Sequence, residues 1–265
     1  MKTITKNTPI QSSIIRLASV PFLNAKLLTI GLDNISIQYM NPKDCLKALL
    51  LNQVDCALIP SINLAYYPLA VIPSSCIASR GSIGSVLLFS QCDLLNIQTI
   101  AIDNRSTTSI ALLKILCQEV FHIDPLLIPF DHKNSIDTHT DATLLIGDDA
   151  LWMDHSSVQV FDLGHIWHEW IHLPFVYAVW AVNQTHYPAG IYDTLEKSKN
   201  FEKDAVDQIC QTYPDNQRKK ALYYLTQQVS YDFGECQIQG LTAFFEYAKK
   251  HQIIECEPEL KFIKS

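Results

Sequence analysis

Four consecutive hydroxyl residues, Ser106, Thr107, Thr108 and Ser109, follow an apolar strand-like run (Thr99–Ile102) and precede a run with Ile110, Leu113, Leu116, Cys117 and Val120 on one helical face. The first turn of a helix leaves N–H groups without intrahelical partners, and side-chain hydroxyls beside them add donors. That combination suits a carboxylate or a phosphate. Ordinary N-capping is the other use of Ser and Thr at such a place. Asn24, in Val20-Pro21-Phe22-Leu23-Asn24-Ala25-Lys26, sits just beyond a predicted strand, at the end where open α/β sheets hold ligands. Its amide could donate to an anionic oxygen or cap the next helix.

Other segments offer further chemistry. Gly81-Ser82-Ile83-Gly84-Ser85 is a small-residue loop able to bring backbone N–H groups close to a ligand. It lacks the Gly-Lys-[Ser/Thr] of a nucleotide-phosphate loop, and a strand follows it rather than a helix. Ile146-Gly147-Asp148-Asp149-Ala150 ends a strand and starts a helix, so Asp148 could move a proton or cap that helix. Arg80 and Arg105 flank the two candidate anion loops. His168-Glu169-Trp170-Ile171-His172 has the zinc-protease spacing, which needs both imidazoles on one helix with the Glu as base. Pro174 cuts that helix two residues after His172, so a short surface helix is the plainer expectation.

The elements that must position these residues alternate between strand and helix, which predicts an α/β fold. Strands are expected at residues 14–20, 56–60, 85–90, 99–102, 126–129, 142–146 and 175–182. A short helix is expected over 25–30. Asn41-Pro42 opens another as cap and first helical residue, and Asn52 closes it. Helices are also expected over 192–210, 217–230 and 241–250. The pattern restarts at Thr99 and changes after Val182. Two lobes follow from this, residues 1–90 with 183–265 and residues 91–182, the chain crossing between them twice.

With 265 residues, 48% of them hydrophobic and 18% charged, the chain can bury a sizeable core. A net charge of −7 and the lack of a basic run argue against nucleic acid as a partner. No stretch approaches the ~20 apolar residues of a membrane span, and residues 1–19 lack the apolar run of a signal peptide. The eight cysteines are scattered without a Cys-x-x-Cys, so a reduced, cytoplasmic setting is expected.

Taken in order, several segments resemble the chorismate dehydratases of the futalosine route to menaquinone. They are Val20 to Lys26, Val54-Asp55-Cys56-Ala57-Leu58-Ile59-Pro60-Ser61, Gly84 to Leu88, Ile102 to Ser109, Leu145 to Leu151, Phe161-Asp162-Leu163-Gly164, Trp167, and Leu173 to Ala181. The resemblance implies a fold like that of two-lobed (type II) periplasmic binding proteins, with the ligand in the cleft and neither metal nor organic cofactor. It implies a lyase that removes water from chorismate to give 3-[(1-carboxyvinyl)oxy]benzoate. In that reading Ser106, Thr107, Thr108 and Ser109 grip one carboxylate, Ser61 and Ser85 reach the substrate from the other lobe, and Asn24 orients it. A substrate carboxylate serves as base, with Asp148 as the protein alternative. Leu27, Asn63 and His172 depart from the family's usual Pro, Glu and Gly. A non-catalytic solute-binding protein for a small carboxylate and a 1,4-dihydroxy-6-naphthoate synthase are the competing readings.

Overall fold

The computed structural model describes residues 14–32, 34–103, 107–130, 136–154, 156–197 and 203–263. The chain begins with β1 (Ile15–Ser19), α1 (Leu23–Lys26), β2 (Ile35–Tyr39), α2 (Pro42–Leu50), β3 (Cys56–Pro60) and β4 (Leu69–Ser79). It continues through β5 (Val86–Ser90), β6 (Thr99–Ile102), α3 (Thr107–Leu116), β7 (Leu126–Pro129), β8 (Ala142–Ile146), α4 (Gly147–Trp152), β9 (Gln159–Asp162) and α5 (Leu163–Ile171). The last part is β10 (Phe175–Asn183), α6 (Ile191–Lys197), α7 (Lys203–Gln211), α8 (Asp215–Tyr223), β11 (Ser230–Asp232) and α9 (Glu235–Lys250).

Two mixed sheets result, one in the order β11-β4-β10-β3-β1-β2 and one in the order β7-β6-β8-β5-β9. Sheet membership moves the expected lobe borders. β5 pairs with β8 and β9, so it belongs with the second sheet and not with residues 1–90. β10 pairs antiparallel with β3 and β4, so it belongs with the first sheet and not with residues 91–182. The chain therefore leaves the first sheet in the glycine-containing loop after Ser79 and returns between α5 and Phe175. The restart of pattern at Thr99 marks only the second strand of the second sheet.

Local chemistry explains most elements. The Asn41 side chain accepts a hydrogen bond from the Asp44 N–H, Pro42 occupies the first position of α2, and Asn52 closes the turn at φ 55°. The all-apolar β3 is buried along its whole length, as a strand covered on both faces must be. β4 is the element that composition hides. Pro73 and three serines break its apolar run, but the register with β10 jumps from Val179–Cys76 to Ala181–Val71, so Pro73 falls in a bulge where no ladder N–H is required. The expected helix over 25–30 is instead α1, with turns after it. The expected helix over 192–210 is represented by α6 and α7.

α3 is buried on nearly every side, exposing Lys114, and makes a central post of the molecule. The return crossing is packed by aromatics. Trp167 of α5 lies 5.2 Å from Phe175 of β10 and 6.5 Å from Phe244 of α9, ring centre to ring centre.

Candidate functional site

Between the sheets lies a pocket of about 620 Å³, its open mouth included. One wall comes from the first sheet and α1, with Phe22, Asn24, Pro60 and Tyr177. The other comes from the second sheet and the start of α3, with Ser85, Gly147, Thr107, Thr108 and Ser109. Of the residues singled out in the sequence, Asn24, Ser85, Thr107, Thr108 and Ser109 meet here. Ser106 and Arg105 lie outside the described residues. None of the described lining residues is charged, and on the second side an anionic ligand would meet hydroxyls at the start of a helix.

Two lining side chains carry buried polar atoms without a partner, Thr107 Oγ1 and Asn24 Oδ1. Such atoms are uncommon in folded proteins, and at a pocket wall they are open to a bond from a ligand or a water. Asn24 is not a helix cap, because it lies inside α1. Its Nδ2 donates to Tyr224 Oη at 2.9 Å, leaving the carbonyl oxygen, an acceptor, as the unused end. The expectation that Asn24 donates to an anion is thereby reversed. Tyr224 Oη also lies 2.8 Å from Ser85 Oγ. Burial pushes the Tyr224 phenol above its usual range, helped by the nearby Asp148 charge and opposed by its two hydrogen bonds.

Ser61 and Asp148 hold structure, and Thr108 does so as well as lining the pocket. Ser61 donates to the Val176 carbonyl at 2.7 Å, is fully buried and is not part of the pocket lining, which argues against the substrate contact expected of it. Ser85 belongs to the same side as Thr107, since its carbonyl accepts from Gly147 N–H at 2.8 Å across β5 and β8. Thr108 lines the pocket and also ties the two sides, its Oγ1 accepting from the Ile62 N–H at 3.2 Å. Asp148 does not line the pocket. Its Oδ1 accepts from the Leu23 N–H at 2.8 Å, so a carboxylate of the second side caps α1 of the first. Burial raises the Asp148 carboxyl, with the Leu23 N–H and the Lys26 charge pulling the other way. Beside it Gly147 takes φ 61°, and a Cβ there would come within 3.0 Å of the Phe22 ring.

Asp162, named in the sequence only as part of the Phe161-Asp162-Leu163-Gly164 resemblance and given no role there, builds the loop beneath Ser85. Its carboxylate accepts from the N–H groups of Gly84 at 2.7 Å, Ile83 at 3.1 Å and His165 at 3.1 Å. Its pKa is raised by burial, which those donors offset in part. The zinc-like spacing comes apart. α5 ends at Ile171, His172 takes a left-handed φ of 60°, and the two imidazoles stand nearly perpendicular with centres 6.5 Å apart. Asn63 and His172 are absent from the pocket lining.

Residues 15–250 match the family described as menaquinone biosynthesis. The chain belongs to that family. The chain is 28% identical over 176 residues to the chorismate dehydratase of Thermus thermophilus, a match covering 59% of this chain. The match spans 65% of that relative's length. Among solved structures, a protein from Archaeoglobus fulgidus superposes with a TM-score of 0.70 at 17% identity, covering 92% of this chain and 100% of its own. An ABC transporter protein from Parabacteroides distasonis gives 0.61 at 17% identity over 96% and 99%. The periplasmic aliphatic sulphonate binding protein of Escherichia coli gives 0.56 at 10% identity over 96% and 94%. These likenesses give the family member a periplasmic-binding-protein-like fold, with a cleft between two mixed sheets.

Proposed function

We propose that this member of the family is a chorismate dehydratase, a lyase that converts chorismate into 3-[(1-carboxyvinyl)oxy]benzoate and water. The observation that carries the reading is the pairing, in one pocket, of the Thr107–Ser109 helix start with the unpartnered Asn24 carbonyl oxygen. Chorismate offers groups complementary to both, two carboxylates and a ring hydroxyl. A hydrogen bond to a carboxylate contributes about 1.5–3 kcal/mol, so a few such donors supply a large share of the binding energy.

The reaction breaks the C3–H and C4–O bonds, forms the C3–C4 double bond and makes the ring aromatic. The C3 proton and the C4 hydroxyl depart together as water. Aromatisation supplies the driving force, and the protein has to orient the leaving hydroxyl and exclude competing rearrangements. In this assignment Asn24 Oδ1 accepts from the C4 hydroxyl, and Thr107 and Ser109 bind one carboxylate. A substrate carboxylate takes the C3 proton. Asp148 is left to α1, because its Oδ1 is engaged on Leu23 N–H and it stands outside the pocket lining.

The test is incubation of EDTA-dialysed protein with chorismate, followed by mass spectrometry. The expected product is lighter by one water and keeps the enolpyruvyl group. Recovery of intact chorismate, bound or unbound, would remove the lyase assignment, and binding without turnover would favour the solute-binding reading.

A further inference from the structure

We propose that Tyr224, a residue outside the pocket lining, is a positioning residue that fixes which end of Asn24 and which end of Ser85 face the substrate. The inference rests on the dehydratase reading and adds a group from the C-terminal part of the chain to it. Tyr224 opens a π-helical turn, Tyr224–Gln228, directly after α8. Single π-helical turns of this kind are rare and occur frequently at functional sites. The same turn lays the Gln228 side chain against Gly84, in the loop that leads to Ser85.

The hydrogen-bond inventory allows one fully satisfied arrangement. A phenol has a single proton and accepts through its oxygen. Asn24 Nδ2 donates to Tyr224 Oη at 2.9 Å, and Ser85 Oγ is the other hydrogen-bond neighbour of that oxygen, at 2.8 Å. The Tyr224 proton therefore goes to Ser85 Oγ, which frees the Ser85 O–H to donate into the pocket. The Asn24 carbonyl oxygen, unpartnered and buried, is left as an acceptor. The pocket thus presents one acceptor from the first side and one donor from the second, their polarity set by a hydroxyl that never meets the substrate. In the dehydration the acceptor holds the C4 hydroxyl in line to leave, and the Ser85 donor supports the oxygen as the C–O bond lengthens.

The experiment replaces residue 224 by Phe and, separately, by 4-aminophenylalanine, and measures chorismate turnover by both variants and by wild type. Tyr224→Phe keeps the ring and leaves the amide free to turn, and kcat is expected to fall about 10- to 100-fold with KM within about threefold. The aniline refills the site but donates where the phenol accepted, so Asn24 must present its N–H end to the pocket. Its kcat is expected to fall as far as that of Phe although its melting temperature stays near wild type. If Tyr224 only packs and bonds, the aniline restores kcat, and the inference is overturned even should Tyr224→Phe fold poorly. Tyr224→Phe added to Asn24→Ala is expected to cost less than it costs alone, since the share of its effect that passes through the amide is already lost and only the share through Ser85 remains. Wild-type protein that leaves chorismate intact overturns the dehydratase reading and this assignment with it. Active wild type with unaffected variants overturns this assignment alone.

Discussion

Thr107 separates function from stability most cleanly among the site residues. Its Oγ1 is buried and unpartnered, so the hydroxyl adds no hydrogen bond to the unliganded fold. Thr107→Val keeps the branched shape and removes the polar atom. The expected outcome is a melting temperature equal to or above wild type, together with a kcat/KM for chorismate lower by about 10- to 100-fold, the equivalent of one hydrogen bond to a charged group. Unchanged kcat/KM would take the Thr107 hydroxyl out of the binding set. The run that includes Thr107 is legible in the sequence because its chemistry is local: a strand end, hydroxyls and a helix start are consecutive. Tyr224 is not legible, because it reaches its partners from 200 residues beyond Asn24 and 139 beyond Ser85. Nothing in the neighbourhood of a tyrosine within a helical pattern signals such a contact. Ser61 shows the opposite failure. The reading built on the resemblance gives it a substrate contact, and the fold spends its hydroxyl on the Val176 carbonyl.

At the scale of elements, α1 and α9 each depend on one close contact. Asp148 caps α1 from the far side of the pocket, so Asp148→Ala should destabilise by about 1 kcal/mol, within the 0.5–2 kcal/mol range of lost caps. Asp148→Asn retains an acceptor oxygen for Leu23 N–H and removes the ionisation. Because burial raises this carboxyl, the folded state holds the proton more tightly than the unfolded state does. Its contribution to stability therefore declines as pH rises from the ordinary Asp range through the folded value, and Asp148→Asn should melt at or above wild type at pH 7. Turnover by Asp148→Asn within about threefold of wild type fits the capping role; a loss beyond about 100-fold would make this carboxylate the base. Gly240 lets α9 approach β10, since a Cβ there would come within 2.0 Å of the Pro174 carbonyl oxygen. Gly240→Ala should displace α9 and cost about 1–3 kcal/mol, read as a lower denaturation midpoint. Strands such as β3 are visible in the sequence because burial on both faces leaves an unbroken apolar run. β4 escapes because its proline is tolerated only at a bulge, and a bulge is a property of two paired strands. The lobe borders escape for a related reason, since a strand's sheet is decided by partners far away in the chain.

At the scale of the molecule, the two sheets are joined by polar ties as well as by the two crossings. Leu23 with Asp148, Ile62 with Thr108, and Asn24 with Tyr224 and Ser85 all lie at or beside the pocket. A further tie stands on α9, where Glu119, from the π-helical turn after α3, meets Lys250 Nζ at 2.5 Å and His251 Nε2 at 2.6 Å. The Lys250 hydrogen bond is the main reason the Glu119 carboxyl is held below its usual range; partial burial opposes it and His251 adds to it. A depressed folded pKa means that the stabilisation is fully present above the unfolded Glu value and is lost as pH falls through the folded one. Glu119→Gln should therefore melt lower than wild type at pH 7, and the two melting temperatures should converge as pH is taken well below 4. The expected difference at pH 7 corresponds to about 1 kcal/mol, because Lys250 is more than half exposed and such pairs are screened by water and salt. Raising salt should narrow the gap at pH 7 in the same way. Chorismate turnover should survive the substitution, because none of the three residues lines the pocket between the sheets. A fall in turnover at unchanged stability would mean that the tie on α9 governs how the two walls of that pocket meet.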